Sequence, residues 1–106
     1  DLEEDDVPDP LKTEIYRICQ EALNNIAKHS KASLVQLRLG KQSDFIELSI
    51  KDNGKGFELK EALSAEHSRR GLGLVSMRER TELSGGSFAI ESTTGDGTAI
   101  RSLWPA

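Results

Sequence analysis

The sequence predicts an α+β fold: a two-layer α/β sandwich whose mixed, mostly antiparallel sheet is covered on one face by helices. Three observations predict it. Leu11, Ile15, Ile18, Ala22 and Ile26 recur at helical spacing near the start of the chain. Two pairs of alternating segments follow, each pair joined by a short polar or glycine-rich stretch. A second helical stretch lies between the pairs. The order is therefore helix, two strands, helix, two strands.

Residues 1–9 are acidic and nearly free of apolar groups, and read as a linker or the end of a truncated strand. Pro10 suits the first turn of a helix. That helix should run to His29 or Ser30, with Cys19 and Leu23 widening its apolar face. Residues 34–39 alternate, and so do residues 45–51, where Ile46, Leu48 and Ile50 share one face. Residues 40–44 connect them as an antiparallel hairpin. Residues 57–70 read as a short lid with one helical turn at 60–66. A second helix is expected over 72–83, stopped by Gly85-Gly86. Strands at 87–92 and 98–104 complete the pattern, with Gly95-Asp96-Gly97 turning between them.

The chain has 106 residues, enough for one domain with a modest core. A net charge of −4 disfavours general nucleic-acid binding and leaves room for a local phosphate site. No apolar run approaches the roughly 20 residues that span a bilayer, and the acidic N-terminus is unlike a signal peptide. Cys19 is the only cysteine, so no intrachain disulfide can form, and it reads as a core residue. One cysteine and two scattered histidines exclude a structural zinc site. The chain has neither a Walker-type phosphate loop nor a Gly-x-Ser-x-Gly nucleophile elbow.

Chemistry concentrates in three places. With about 100° per residue, Asn25 lies roughly 40° from Glu21 on the helical wheel, and Lys28 roughly 20° to the other side. A carboxylate, a carboxamide and an ammonium thus share one stripe beside the apolar face. A carboxamide oxygen suits Mg²⁺, an ammonium suits phosphate, and a carboxylate can orient a nucleophile. A solvated polar face explains this stripe equally well from the helix alone. His29 leans toward the core and suits a structural or capping role better than phosphate contact.

Asp52 continues the buried phase of Ile46, Leu48 and Ile50. A carboxylate there must be hydrogen-bonded, and an adenine amino group is a donor it could accept. Gly54 and Gly56 follow, where backbone can approach a ligand closely. A simple Asp-Asn-Gly turn is the commoner explanation of this motif by itself. Gly71 and Gly73 open the second helix, whose free N–H groups suit an anion. Arg69 and Arg70 precede them. The run Arg78-Glu79-Arg80 reads as a solvated helix face, and Trp104 and Phe88 read as core.

Taken together and in this order, these segments resemble the catalytic ATP-binding domain of sensor histidine kinases, part of the GHKL ATPase superfamily. Residues 15–29 look like the family's N box, most like the subgroup that includes nitrate/nitrite sensors. Asp52-Asn53-Gly54-Lys55-Gly56-Phe57 resembles the first glycine box. Residues 71–80 resemble the second, including Leu74, and Gly95-Asp96-Gly97-Thr98 resembles the terminal glycine–threonine motif. The resemblance covers residues 7–105 and implies a GHKL-type fold over 10–106.

The resemblance implies that Glu21 is the base or orienting carboxylate. It implies that Asn25 ligates Mg²⁺, Lys28 contacts phosphate and Asp52 binds the adenine amino group. Gly54, Gly56, Gly71, Gly73, Leu74 and Thr98 would complete the nucleotide site. ATP would give its γ-phosphoryl group to a histidine on a separate dimerisation domain, with a response regulator as an indirect partner. The fragment would be monomeric and cytoplasmic, within a parent that could be membrane-anchored. The family's strand before the first helix is expected to be missing or truncated here. The short lid and Glu66-His67-Ser68-Arg69-Arg70 depart from the common pattern, which leaves the two arginines without an assigned role. Alternatives are an anti-sigma-type serine kinase of the same superfamily, or a degenerate domain that binds nucleotide, or only a partner protein.

Overall fold

A computed structural model of the chain describes residues 7–56, 69–92 and 95–105. Its first element, helix α1, spans Asp9–Asn25 and is followed without a break by a π-helical turn, Ile26–Ser30. Strands β1 (Val35–Gln42) and β2 (Phe45–Asp52) form a hairpin. Helix α2 (Arg69–Leu83) precedes a second hairpin of β3 (Ser87–Ser92) and β4 (Thr98–Pro105). The sheet order is β1-β2-β4-β3.

Helix α1 starts one residue before Pro10, with Pro8 at its N-cap. Val7 is buried in the hydrophobic core, so the acidic stretch expected to be a linker ends in a packed residue. Leu11, Ile15, Ile18 and Ala22 are buried, and Cys19 and Ile26 pack against the core from its margin. Leu23 is not part of that face: it is exposed. Lys31 ends the helical segment in a left-handed conformation with φ of 54°.

The first hairpin is tighter than the sequence suggested. Gly40 to Gln42 continue β1, leaving a two-residue turn at Ser43 and Asp44. Their polarity reflects an edge strand that needs little burial, not a loop. Register places Leu37 beside Ile50 and Leu39 beside Leu48, so these apolar residues share the face that carries the helices. The helices lie over β2, β4 and β3, and Val35, Leu37 and Leu39 remain partly exposed. All three strand pairings are antiparallel. The described sheet is antiparallel throughout, in keeping with the mostly antiparallel sheet expected from sequence, and among the described residues no strand precedes α1.

The core lies between the sheet and the two helices. Ile46, Leu48 and Ile50 supply β2, Ile100 and Trp104 supply β4, and Leu74 and Met77 supply α2. Trp104 is fully buried, and its Nε1–H donates to Ser84 Oγ at 2.9 Å, so the indole carries no unmet donor. Thr81 and Ser102 are buried with their hydroxyls paired at 2.9 Å, and Thr81 also donates to the Met77 carbonyl at 2.9 Å. Phe88 packs at the core margin. Burial pushes the Cys19 thiol above its ordinary value, which disfavours the reactive thiolate.

Glycines at two positions should respond differently to substitution. A Cβ at Gly86 would lie 2.5 Å from the Leu103 carbonyl oxygen and 2.6 Å from Trp104 Cδ1, whereas one at Gly40 would meet nothing within 4 Å. Gly86→Ala should destabilise the domain by about 1–3 kcal/mol, lowering Tm by roughly 4–8 °C per kcal/mol. Gly40→Ala should leave Tm within a few degrees. Thermal unfolding by circular dichroism checks both, and equal melting points for the two variants would contradict this packing.

Candidate functional site

The end of the sheet where β2 finishes and β4 begins collects the chemistry. Asp52 is the last residue of β2, and its alternation with Ile46, Leu48 and Ile50 carries it to the buried face, where it is 4% exposed. Its Oδ1 accepts the Gly54 N–H at 2.8 Å. This is the Asx turn that the Asp-Asn-Gly sequence suggested, formed by a buried carboxylate at the same time. Thr98, the first residue of β4, pairs directly with Asp52 in the sheet. The Thr98 hydroxyl pairs with Ser92 Oγ at 2.9 Å.

Two loops hold the Asp52–Gly56 segment in place. Gly97 (φ 80°) presses against the Asp52 carbonyl so closely that a side chain there would collide with backbone. The Gly95 N–H donates to the Lys55 carbonyl. On the other side, Asn53 Oδ1 accepts the N–H groups of Ser33 at 3.0 Å and Leu34 at 2.9 Å. Gly54 and Gly56 are buried, and Gly56 has a φ of 64°, a conformation that glycine takes without strain. A cavity of about 260 Å³ opens here, lined by Asp52, Glu91, Ser92, Asp96, Gly97 and Thr98.

The second cluster lies where the C-terminal end of α1 meets the N-terminal part of α2. A Cβ at Gly73 would stand 2.9 Å from Asn25 Nδ2 and 3.3 Å from Glu21 Oε2. Glu21, Asn25 and Gly73 therefore touch, although more than fifty positions separate the first from the last. Asn25 Nδ2 is buried and has no hydrogen-bond partner among the described residues. Such an atom costs about 1–3 kcal/mol unless something meets it. Its oxygen and nitrogen exchange places by rotation about the last side-chain bond.

The two clusters share one end of the molecule. Residue 25 ends α1, the chain enters β1 at Val35, and Val35 pairs with Asp52. Lys28 departs from its expected place. The wheel assumed α-helical winding, and the π turn from Ile26 onward winds less per residue, so Lys28 lags behind the Glu21–Asn25 stripe and stands exposed. Helix α2 starts at Arg69, so Gly71 and Gly73 lie inside its first turns and do not open it. Leu74 is a core residue, 3% exposed, and lies behind the site wall. The proposed lid lies outside the described residues except for Arg69 and Arg70. Sequence reasoning missed Asn53 and Gly97 as supports. The partners of Asn53 lie about 20 residues away, beyond the reach of any local pattern.

A larger cavity, about 500 Å³, opens at the opposite end among Pro8, Leu11, Ile46, Leu83, Ser84 and Trp104. None of the candidate site residues lines it. Of the candidate site residues, Asp52 and Thr98 line the smaller cavity, whereas Glu21, Asn25 and Gly73 line neither.

A family model described as "Histidine kinase-, DNA gyrase B-, and HSP90-like ATPase" matches residues 11–106. The chain belongs to this ATPase family. It is 43% identical over 86 residues to the signal transduction histidine-protein kinase/phosphatase DegS of Bacillus subtilis, covering 81% of this chain and 22% of DegS. It is 38% identical over 100 residues to the sensor protein VraS of Staphylococcus haemolyticus, covering 94% of this chain and 27% of VraS. The chain thus spans about a quarter of the length of these relatives. Their names add nothing on the nitrate/nitrite-sensor subgroup. The blue-light activated histidine kinase of Erythrobacter litoralis has the same fold, with a TM-score of 0.76 at 22% identity, over 94% of this chain and 32% of that one.

An ATPase of this family implies bound ATP, and the residues fit a Mg²⁺–nucleotide complex. Among the described residues no group of three His, Cys, Asp or Glu could hold a metal. Mg²⁺ needs no such cage when substrate phosphates and water complete its shell around one or two protein ligands. The Asn25 carboxamide, whose Nδ2 is unpaired among the described residues, offers an oxygen of the type such a shell takes. A methyl group at residue 73 would push on the ends of two flexible side chains, so Gly73→Ala should fold. It should also gain about 1 kcal/mol of helix propensity. Displacing Asn25 should nevertheless weaken Mg–ATP binding by about tenfold or more. Paired melting and calorimetric titration check this, and unchanged affinity would show that the Gly73–Asn25 contact has no bearing on nucleotide.

Proposed function

We propose that this chain is the ATP-binding catalytic domain of a two-component sensor histidine kinase. It would donate the ATP γ-phosphoryl group to a histidine on a separate dimerisation domain. The observation that carries this reading is the meeting of Glu21 and Asn25, whose Nδ2 is unpaired among the described residues, with Gly73, at the same end of the fold as buried Asp52. The sensor-kinase names of DegS and VraS support the choice of histidine as acceptor. A response regulator would receive the phosphoryl group afterwards. Among the described residues no helix is long and apolar enough to cross a membrane, and any anchor would belong to the longer parent.

In this reading Asp52 accepts a hydrogen bond from the adenine amino group, in addition to the Gly54 N–H. Thr98 supports it from the paired strand. Gly54 and Gly56 let backbone pass close to the base, and Gly71 and Gly73 frame the phosphate side. Asn25 would hold Mg²⁺ through its carboxamide oxygen, and Lys28 would reach the phosphates from the exposed π turn. Bound Mg²⁺ supplies charge neutralisation at the phosphates. Glu21 is negative, like the phosphates, so it does not stabilise ground-state ATP. It orients the incoming imidazole by accepting its ring N–H and takes that proton as the other ring nitrogen attacks. The new bond is N–P, the bond broken joins the γ-phosphorus to its bridging oxygen, and ADP leaves. Catalysis is mainly positioning.

Three substitutions separate these roles. Asp52→Ala should cost about 1–3 kcal/mol of ATP affinity. The wild-type chain should prefer ATP to GTP, whose base presents an acceptor in place of the amino group. Equal calorimetric affinity for the two nucleotides would remove Asp52 as the base reader. Glu21→Gln should lower phosphotransfer to a supplied dimerisation domain by about 10²–10⁴-fold while ATP affinity stays near normal. Asn25→Ala should weaken Mg–ATP binding itself. Phosphotransfer by Glu21→Gln at the wild-type rate would take Glu21 out of the mechanism.

A further inference from the structure

The nucleotide reading uses two clusters, one at Asp52 and one at the C-terminal end of α1. Something must fix their separation, because the reach of a nucleotide from base to phosphates is limited. The segment between them is irregular. It runs through the π turn, a left-handed Lys31 and a short loop before β1. A π turn is less stable than α-helix and persists where its surroundings hold it.

Asn53 holds the far end of that segment. Its backbone N–H donates to the Leu34 carbonyl at 3.2 Å, extending the β1–β2 ladder by one step. Its Oδ1 accepts two consecutive N–H groups, from Ser33 at 3.0 Å and Leu34 at 2.9 Å. Its Nδ2 donates to Ser33 Oγ at 2.9 Å. Four hydrogen bonds therefore join residue 53 to residues 33 and 34. Strand alternation sends the neighbouring side chains apart: Asp52 turns to the buried face and Asn53 toward the loop after α1. Adjacent residues thus face the two halves of the site.

We propose that Asn53 is a positioning residue, which sets the distance between the base-reading Asp52 and the phosphate- and metal-binding end of α1. The inference rests on the nucleotide reading. It adds a residue that touches no nucleotide and yet decides how well one ligand can reach both clusters. Asp52 does not depend on Asn53 for its own placement. It is held by the Thr98 pairing, the Gly54 N–H and the Gly97 contact. Loss of the clamp should therefore act on ligands that span both clusters and spare those that occupy only one.

The test compares Mg–ATP with adenosine on wild type, Asn53→Ala and Asn53→Asp, together with amide hydrogen exchange of the ligand-free proteins. In Asn53→Ala, Mg–ATP affinity should fall about tenfold, the worth of one or two hydrogen bonds. Adenosine affinity should stay within about threefold. Exchange at residues 26–34 should quicken without any ligand present. Asn53→Asp keeps both acceptor bonds, so in high salt, where its added charge is screened, it should recover to within about threefold of wild type. Equal losses for Mg–ATP and adenosine, or unchanged exchange at Ser33 and Leu34, would overturn the proposal. A wild-type chain that binds neither ligand would sink the nucleotide reading and this positioning role with it, whereas quickened exchange in Asn53→Ala would still show the clamp as a structural tie. Should Asn53→Ala not fold, Ser33→Ala removes one of the four bonds and should show the same split at about twofold. An equal loss for both ligands in that variant would overturn the proposal as well.

Discussion

Everything at the site depends on how closely α1 and α2 approach where Asn25 and Glu21 meet Gly73. A side chain at residue 73 would occupy the space that the carboxamide and the carboxylate now fill. The absence of a Cβ lets two helices bring polar groups together at a point where most helix pairs would place apolar ones. It also explains why α2 tolerates Gly73 in its first turns, a cost of about 1 kcal/mol relative to alanine. At the other end of the helix pair, Arg80 and Glu14 approach to 3.5 Å, a partly exposed contact of small energetic weight.

Element types and their order were legible because the patterns are strong. Ile46, Leu48 and Ile50 alternate cleanly, and the four buried residues of α1 recur at helical spacing. The same alternation placed Asp52 on the buried face. Boundaries were less legible, each for a local reason. Gly40 to Gln42 look like a loop because an exposed edge strand can be polar. Arg69 to Gly71 look like a loop because glycine weakens helix. Leu23 was assigned to the core because periodicity shows a face without showing how much of it is covered.

The site was legible as three separate motifs and not as a geometry. No spacing rule tells that Gly73 touches Asn25, that Gly97 backs Asp52, or that Asn53 reaches Ser33. Those contacts join residues 20 or more positions apart, and only the sheet register and helix packing create them. The resemblance to histidine-kinase domains supplied roles for single residues. The structure adds the reason why these residues, weak as individual signals, belong to one place. It also shows where straight helical geometry misleads, since the π turn after Asn25 moves Lys28 away from its predicted stripe.

The most direct test of the account is a crystal structure of the chain with Mg²⁺ and a non-hydrolysable ATP analogue. The quantity to measure is the distance from the Asp52 carboxylate to the adenine amino nitrogen in the same molecule where Asn25 is a metal ligand. The account predicts a hydrogen bond of about 2.7–3.2 Å, with an Asn25 oxygen at roughly 2.0–2.1 Å from Mg²⁺. An analogue bound in the cavity beside Trp104, or one whose base lies away from Asp52 while its phosphates reach Asn25, would contradict it.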